Sequence, residues 1–262
     1  MKSKHTFVVC AYKESQYLES CIRSVLRQSV KSKVLIATST DNQYIRGFAK
    51  KYHLEVRVAD HQSDISRDWN FAIAQADTEY VTIAHQDDIY DRTYAENVVK
   101  YLDSRKDSLI CCTGYYEIRD GRKIITNINL VIKRILLMPL LLKNVSGVKL
   151  IKRFPIALGN GICCPSVTFA KFRIPSPLFT VGMKSNIDWE AWERLSQMKG
   201  SFCYVPRPLM GHRIHEESTT TEIIGDSSRS SEDYYMFKKF WPDFIAKKLS
   251  RAYKNSERSN QL

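Results

Sequence analysis

The sequence predicts an α/β protein, a mostly parallel central sheet with helices on both faces and a C-terminal helical elaboration. Three observations predict it. Short β-rich runs alternate with helix-period segments over the first 115 residues. The first of those runs is continuously apolar, as strands buried on both faces are. Polar clusters follow the runs directly, where parallel α/β sheets put ligand sites. The chain has 262 residues, 44% hydrophobic and 26% charged, values that exclude a disordered or fibrous protein.

The elements follow in order. Thr6 to Ala11 reads as a buried strand. Glu14 to Gln28 reads as a helix, with Leu18, Cys21, Ile22, Val25 and Leu26 on one face. Val34 to Ala37 is a second strand, and Asp41 caps a helix carrying Tyr44, Ile45, Phe48 and Tyr52. Glu55 to Ala59 is a third strand, and Ile65 to Ala76 a helix with Trp69, Ala72, Ile73 and Ala76 inward. Tyr80 to Ala84 is a fourth strand that ends at His85-Gln86-Asp87-Asp88. Beyond residue 115 the pattern changes. Tyr115 to Ile118 and Lys123 to Thr126 read as a hairpin around Asp120-Gly121. Ile128 to Leu142 is apolar, holds Lys133 and Arg134, and is broken by Pro139. Gly159 to Phe169 reads as loop plus strand, Asp188 to Met198 as a short helix, Ser201 to Val205 as a strand, and the tail from Ser231 as helical.

Composition narrows the class further. The longest apolar run, Ile135 to Leu142, is eight residues, too short for a membrane span. No signal peptide is expected before the first strand. Seven cysteines without a C-x-x-C spacing predict buried thiols in a reducing cytoplasm rather than zinc or a disulfide scaffold. The net charge of +12 is uneven. Residues 1–125 carry 19 basic and 17 acidic groups, residues 126–262 carry 21 and 11. Such an excess suits a polyanion or an anionic membrane surface. No basic-aromatic RNA motif or helix-turn-helix accompanies it, so nucleic acid is not an expected partner.

Three polar clusters end strands: Tyr12-Lys13-Glu14, Thr38-Ser39-Thr40-Asp41 and His85 to Asp88. Adjacent carboxylates after a buried strand repel each other unless a cation or donors offset them. Mg²⁺ or Mn²⁺ with nucleotide phosphates does so. The other reading is that Asp88 or Asp91 caps the next helix. Gly159-Asn160-Gly161 lacks a third glycine and reads as a turn, and there is no Walker loop.

Further stretches extend this. Phe7 to Glu14 and Leu18 to Gln28 open the chain, and Ser39-Thr40-Asp41 ends the second strand. Trp69 to Asp77 leads into Tyr80 to Asp88. Asp188-Trp189-Glu190-Ala191-Trp192-Glu193-Arg194-Leu195 opens a later helix, and Pro208 to His215 closes the series. In this order they resemble glycosyltransferase family 2, the inverting enzymes of GT-A fold. The resemblance is good over residues 5–104 and patchy over 159–218. It implies a nucleotide-sugar-binding half at 1–115, an acceptor and catalytic-base half at 116–220, and a basic helical tail at 221–262.

The resemblance also implies an activity: transfer of a sugar from a nucleoside-diphosphate donor, foremost a UDP-sugar, to a glycan or lipid-linked acceptor. Asp87 becomes a ligand of Mg²⁺ or Mn²⁺, with Asp88 and His215 beside it, and Asp188 the general base. Donor-binding positions fall at Ala11, Tyr12, Glu14, Thr38, Asp41, Arg67, Asn70, His85, Gln86 and Arg213. The expected setting is bacterial surface-polysaccharide assembly, in the cytoplasm or peripherally on the inner face of the plasma membrane. The chain departs from the pattern at three places. His85 stands where an aspartate is usual, Ile36-Ala37 replaces the acidic pair that holds the nucleobase, and Ile187 replaces the glutamate before the base. These departures also fit a catalytically impaired GT-A partner protein of an assembly complex.

Four side-chain expectations remain. His85 either contacts ribose or phosphate or is solvated. Alternation sends Arg213 and His215 to one face, toward the site or into solvent at a strand end. Trp69 and Trp192 are expected in the core and Trp189 at the acceptor. Ile128 to Leu142 and the tail from Lys238 to Arg258 either lie on an anionic lipid surface or cover the sheet.

Overall fold

The computed structural model describes residues 3–215 and 227–258. Residues 216–218, the end of the resembling stretch, and part of the expected 221–262 tail lie outside the described residues. The first half alternates as its apolar runs dictate: β1 (His5–Ala11), α1 (Leu18–Leu26), β2 (Lys33–Thr38), α2 (Gln43–Tyr52), β3 (Glu55–Val58), α3 (Ile65–Gln75) and β4 (Tyr80–His85). β3, β2, β1 and β4 are neighbours and all parallel. A short β5 (Ile89–Tyr90) and α4 (Tyr94–Ser104) follow.

The second half extends the same sheet. It comprises β6 (Ser108–Arg119), β7 (Arg122–Ile124), α5 (Ile128–Leu137), α6 (Lys149–Ala157), β8 (Val167–Ala170), α7 (Ile187–Gln197), β9 (Ser201–Ile214), α8 (Ser227–Lys238) and α9 (Asp243–Arg258). β8 joins β4 to β6 antiparallel on both sides, and β6 then runs parallel to β9. β5 closes the edge against β9. The fold is thus the expected α/β sheet, its longer ladders parallel.

Two apolar layers flank the sheet. One holds Ile22 of α1, Ile45 of α2 and Tyr94 and Val98 of α4. The other holds Ala72 of α3, Ile156 of α6, Trp189 and Trp192 of α7, and Phe237 and Ala246 of the C-terminal helices. The seven cysteines are free thiols, five of them buried.

Local chemistry moves some boundaries. Asn42, not Asp41, caps α2, its side chain accepting from Ile45 N at 2.9 Å; Asp41 lies one residue outside and pairs with Arg46. Asp120 and Gly121 both have positive φ, the two-residue turn that joins β6 and β7. Pro139 falls in a 3-10 turn (Met138–Leu141) after α5, since its ring cannot continue the helix. The tail keeps an apolar face on the core, where α9 buries Ala246 and packs Leu249 and Tyr253. That favours the covering reading for the tail. Among the described residues no helix is long and apolar enough to cross a membrane.

Candidate active site

The site forms where β4 leaves the sheet. After His85 the chain turns, and β5 pairs Ile89 with Gly211 and Tyr90 with Met210 of β9. On the other side of β9, the Tyr116 ring of β6 packs over Gly211, where a Cβ would lie 2.6 Å from the ring. The pairing lays the end of β9 on the Asp87-Asp88 turn. Arg213 N donates to Asp88 Oδ1 at 2.9 Å, and His212 Nδ1 lies 3.1 Å from the same oxygen. Arg213 Nε donates to the Asp87 carbonyl at 2.9 Å, and His215 Nε2 sits 3.1 Å from Asp87 Oδ2. Arg213 and His215 therefore both reach the turn, as alternation predicts, and His212 joins them.

Asp88 does not cap a helix. Nor does Asp91: Thr93 is the N-cap of α4 and no side chain caps it, while Asp91 Oδ1 accepts from Thr93 N and Thr93 Oγ1 ahead of the helix. Asp88 is instead fully buried, and its Oδ2 has no hydrogen-bond partner. His85 Nε2 is likewise buried without a partner. The ligand atoms of His85, Asp87 and Asp88 lie within 4.8 Å of one another. A buried polar atom without a partner costs about 1–3 kcal/mol, and here two face one small space. This donor set, one imidazole and two carboxylates, fits a divalent cation.

Electrostatics agrees with that reading. Burial pushes the His85 imidazole below its ordinary pKa, which favours the form with a lone pair to offer. Burial pushes Asp87 up, but the His215 hydrogen bond and the nearby His85 and His212 hold it below its usual value, ionised. Burial also opposes the charge on His212, yet Asp88 and Asp87 raise it overall.

The expected base, Asp188, lies partly buried in the first turn of α7. Its Oδ1 accepts from Trp189 N at 2.8 Å, and its Oδ2 accepts from Asn160 Nδ2 at 2.7 Å. Burial raises its carboxyl pKa, opposed by those two hydrogen bonds and by the fields of Lys133 and His85. The Gly159-Asn160-Gly161 turn is thus what holds the Asp188 carboxylate. Gly161 is held there because a Cβ would meet Pro155 O at 2.4 Å. The neighbouring Glu190 points elsewhere, bonding Thr180 Oγ1 and Arg194 Nε.

The remaining positions divide into two kinds. Ala11 is buried at the end of β1, and Thr38 is buried with its Oγ1 accepting from Thr40 N. Tyr12, Glu14 and Arg67 are exposed at the carboxyl edge of the sheet and the start of α3. Two amides are scaffolding. Gln86 bonds both N–H and C=O of Tyr12, at 2.9 and 3.0 Å, tying β1 to the β4 turn. Asn70 accepts from Leu178 N and Phe179 N and donates to Phe179 O, holding that loop.

One tryptophan leaves its expected place. Trp189 is fully buried against Phe237 and Tyr253, with Nε1 donating to Ile156 O, because the C-terminal helices cover α7. It is not at the acceptor. Trp69 is only partly buried and stacks on His85, ring centroids 5.0 Å apart, while Trp192 is core as expected.

Sequence reasoning missed Lys133, Asn160, His212 and Asp68. Lys133 lies on the inner face of α5 between Leu130 and Leu137, its Nζ 5.4 Å from the Tyr115 ring centroid, within the field of Asp188 and His212. Asp68, from α3, meets Ser39 Oγ, Ser63 Oγ and His61 Nε2 at 2.9–3.1 Å. It brings a carboxylate back to the end of β2, where Ile36-Ala37 removed one.

The fold is shared with known enzymes. The chain is similar to residues 1–349 of S. aureus TarS in complex with UDP-GlcNAc, at a TM-score of 0.63 and 12% identity, covering 94% of this chain and 70% of that one. The TarS complex with UDP gives 0.60 and 12%, covering 98% and 72%. The mannosyltransferase PcManGT from Pyrobaculum calidifontis, in complex with GDP-Man and Mn²⁺, gives 0.61 and 14%, covering 94% and 69%. No curated protein matches the sequence. Topology and neighbours together define the GT-A fold. A sequence profile described as "Glycosyl transferase family 2" matches residues 6–160, more than half of the chain, and the protein belongs to that family.

Proposed function

We propose that the protein is an inverting, cation-dependent transferase that moves a sugar from a UDP-sugar to a hydroxyl of a glycan or lipid-linked acceptor. One observation carries the reading. A partly buried carboxylate from the second half, Asp188, fixed by Asn160 and by Trp189 N, lies within the electrostatic reach of His85, which groups with Asp87 and Asp88 of the first half. The nucleotide sugars bound in the TarS and PcManGT structures, and the Mn²⁺ in the latter, support a nucleotide-sugar donor and a divalent cation. The setting we assign is surface-polysaccharide assembly on the cytoplasmic side of a bacterial membrane.

The residues divide the work. His85, Asp87 and Asp88 would hold Mg²⁺ or Mn²⁺, which when bound offsets the charge growing on the leaving diphosphate. Arg213 adds fixed positive charge beside the same turn, and His212, whose pKa burial lowers but Asp88 and Asp87 raise overall, stands next to it. Asp68 is the carboxylate best situated for the nucleobase. Asp188 accepts the acceptor's hydroxyl proton as that oxygen bonds to the anomeric carbon. The bond from that carbon to the phosphate oxygen breaks on the opposite face, and the nucleoside diphosphate leaves with the electron pair. A base of raised pKa suits this step, since it holds the proton more firmly than an exposed carboxylate would. Its acid limb should therefore lie above the ordinary carboxylate value of 3.8, activity falling as the pH drops through it.

A donor screen tests the reading. Purified protein is given a panel of nucleotide sugars with Mn²⁺, and release of the nucleoside diphosphate is followed. Turnover of a UDP-sugar, lost in EDTA and restored by Mn²⁺, is the expected result. Full activity after EDTA contradicts the cation, and no release from any donor supports the non-catalytic reading.

A further inference from the structure

The outer faces of α5 and α6 are apolar where a surface helix is ordinarily polar. Ile128, Ile132 and Ile135 form an exposed stripe on α5 at i, i+4, i+7, with Ile128 70% exposed. Leu150, Phe154 and Leu158 repeat this on α6 at i, i+4, i+8, with Leu150 77% exposed. Between the helices Met138 and Leu142 are exposed as well. The opposite face of α5 is inward, with Leu130 and Leu137 buried, so these side chains are not core residues out of register. A contiguous exposed apolar patch of this kind marks an interaction surface.

Charge identifies the occupant. From Gly121 to Ile187 the sequence has eleven Lys and Arg residues and no Asp or Glu. Arg122 and Lys123 on the hairpin before α5, and Lys143 and Lys149 before α6, are exposed around the stripes. A bilayer with anionic headgroups meets both features, since apolar side chains enter the acyl boundary and each basic group near the surface adds attraction. A protein partner would meet the apolar stripe without requiring a flank devoid of acidic groups.

We propose that α5 and α6 form a docking platform for an anionic membrane. α5 then touches lipid through Ile128, Ile132 and Ile135 while Leu130 and Leu137 hold it on the core. The platform lies in the half of the chain that the transferase reading gives to the acceptor, and membrane docking itself needs no turnover.

Flotation of the full chain with phosphatidylcholine vesicles, with and without phosphatidylglycerol, tests the platform. The protein is expected to float with the anionic vesicles at low salt and less at high salt. Ile135→Ser with Leu150→Ser should reduce the floated fraction by about tenfold or more, and Lys143→Glu with Lys149→Glu should also weaken it. Nucleoside-diphosphate release from a soluble donor should be unchanged in both variants, which shows that they are folded. Protein that stays at the bottom with anionic vesicles overturns the proposal, as does unchanged flotation of the Ser variant. Sedimentation showing a dimer that the Ser variant abolishes would also overturn it, assigning the patch to a second copy of the chain.

Discussion

His85 Nε2 and Asp88 Oδ2 are the atoms on which the site turns, because both are buried and neither has a partner. An arrangement that leaves them so is unfavourable until a cation arrives, which makes cation binding a stabilising event. Mn²⁺ should raise the melting temperature of the wild-type protein, and EDTA should reverse the rise. Asp88→Asn keeps the shape and an acceptor for Arg213 N but loses the charge, so it should fold and lose the Mn²⁺ response. A wild-type protein indifferent to Mn²⁺, or an Asn variant that responds equally, counts against the site. At this scale the carboxylates were legible because adjacent acids after a buried strand demand explanation. His212, Lys133 and Asn160 were not, since each reaches the site from an element distant in sequence. Trp189 was misread because helical spacing fixes which residues share a face, not which neighbours cover it.

Strand and helix identity was most legible where the apolar runs were cleanest, from β1 to β4. β6, at twelve residues, was seen only at its end, because its start blends apolar residues, cysteines and threonine without a break. α6 was hidden by Pro155 inside it. β1 carries a pH test of its own. His5 is buried on this strand, with Nε2 2.9 Å from Thr82 Oγ1 and Nδ1 3.0 Å from Ser32 Oγ. Burial lowers its pKa from 6.5 to about 3. The unfolded chain therefore binds the proton first as pH falls below 6.5, and folding stability drops by about 1.4 kcal/mol per pH unit from this residue until the pH nears its folded pKa. Urea unfolding across that range should show a shallower pH dependence in His5→Gln than in the wild type. Equal slopes would mean that His5 is not buried neutral.

At the scale of the whole molecule, one sheet carries both halves of the chemistry. The Asp87-Asp88 turn leaves β4, the parallel pair β6 and β9 brings Arg213 and His215 back to it, and α7 carries Asp188 in its first turn. The charge asymmetry was legible from composition, but which surface carries it was not. Only the packing showed that α9 turns its apolar side inward while α5 and α6 turn theirs outward. The central claim is that Asp188 removes the acceptor proton. It is tested most directly by measuring nucleoside-diphosphate release by the wild type, Asp188→Asn and Glu190→Gln in one assay, at a temperature where all three are folded. Asp188→Asn should lower turnover by about a hundredfold or more with donor affinity little changed. Glu190→Gln should stay within a few-fold of the wild type, since Glu190 bonds Thr180 and Arg194 instead. Near-wild-type turnover in Asp188→Asn, or the opposite ranking of the two variants, would contradict it.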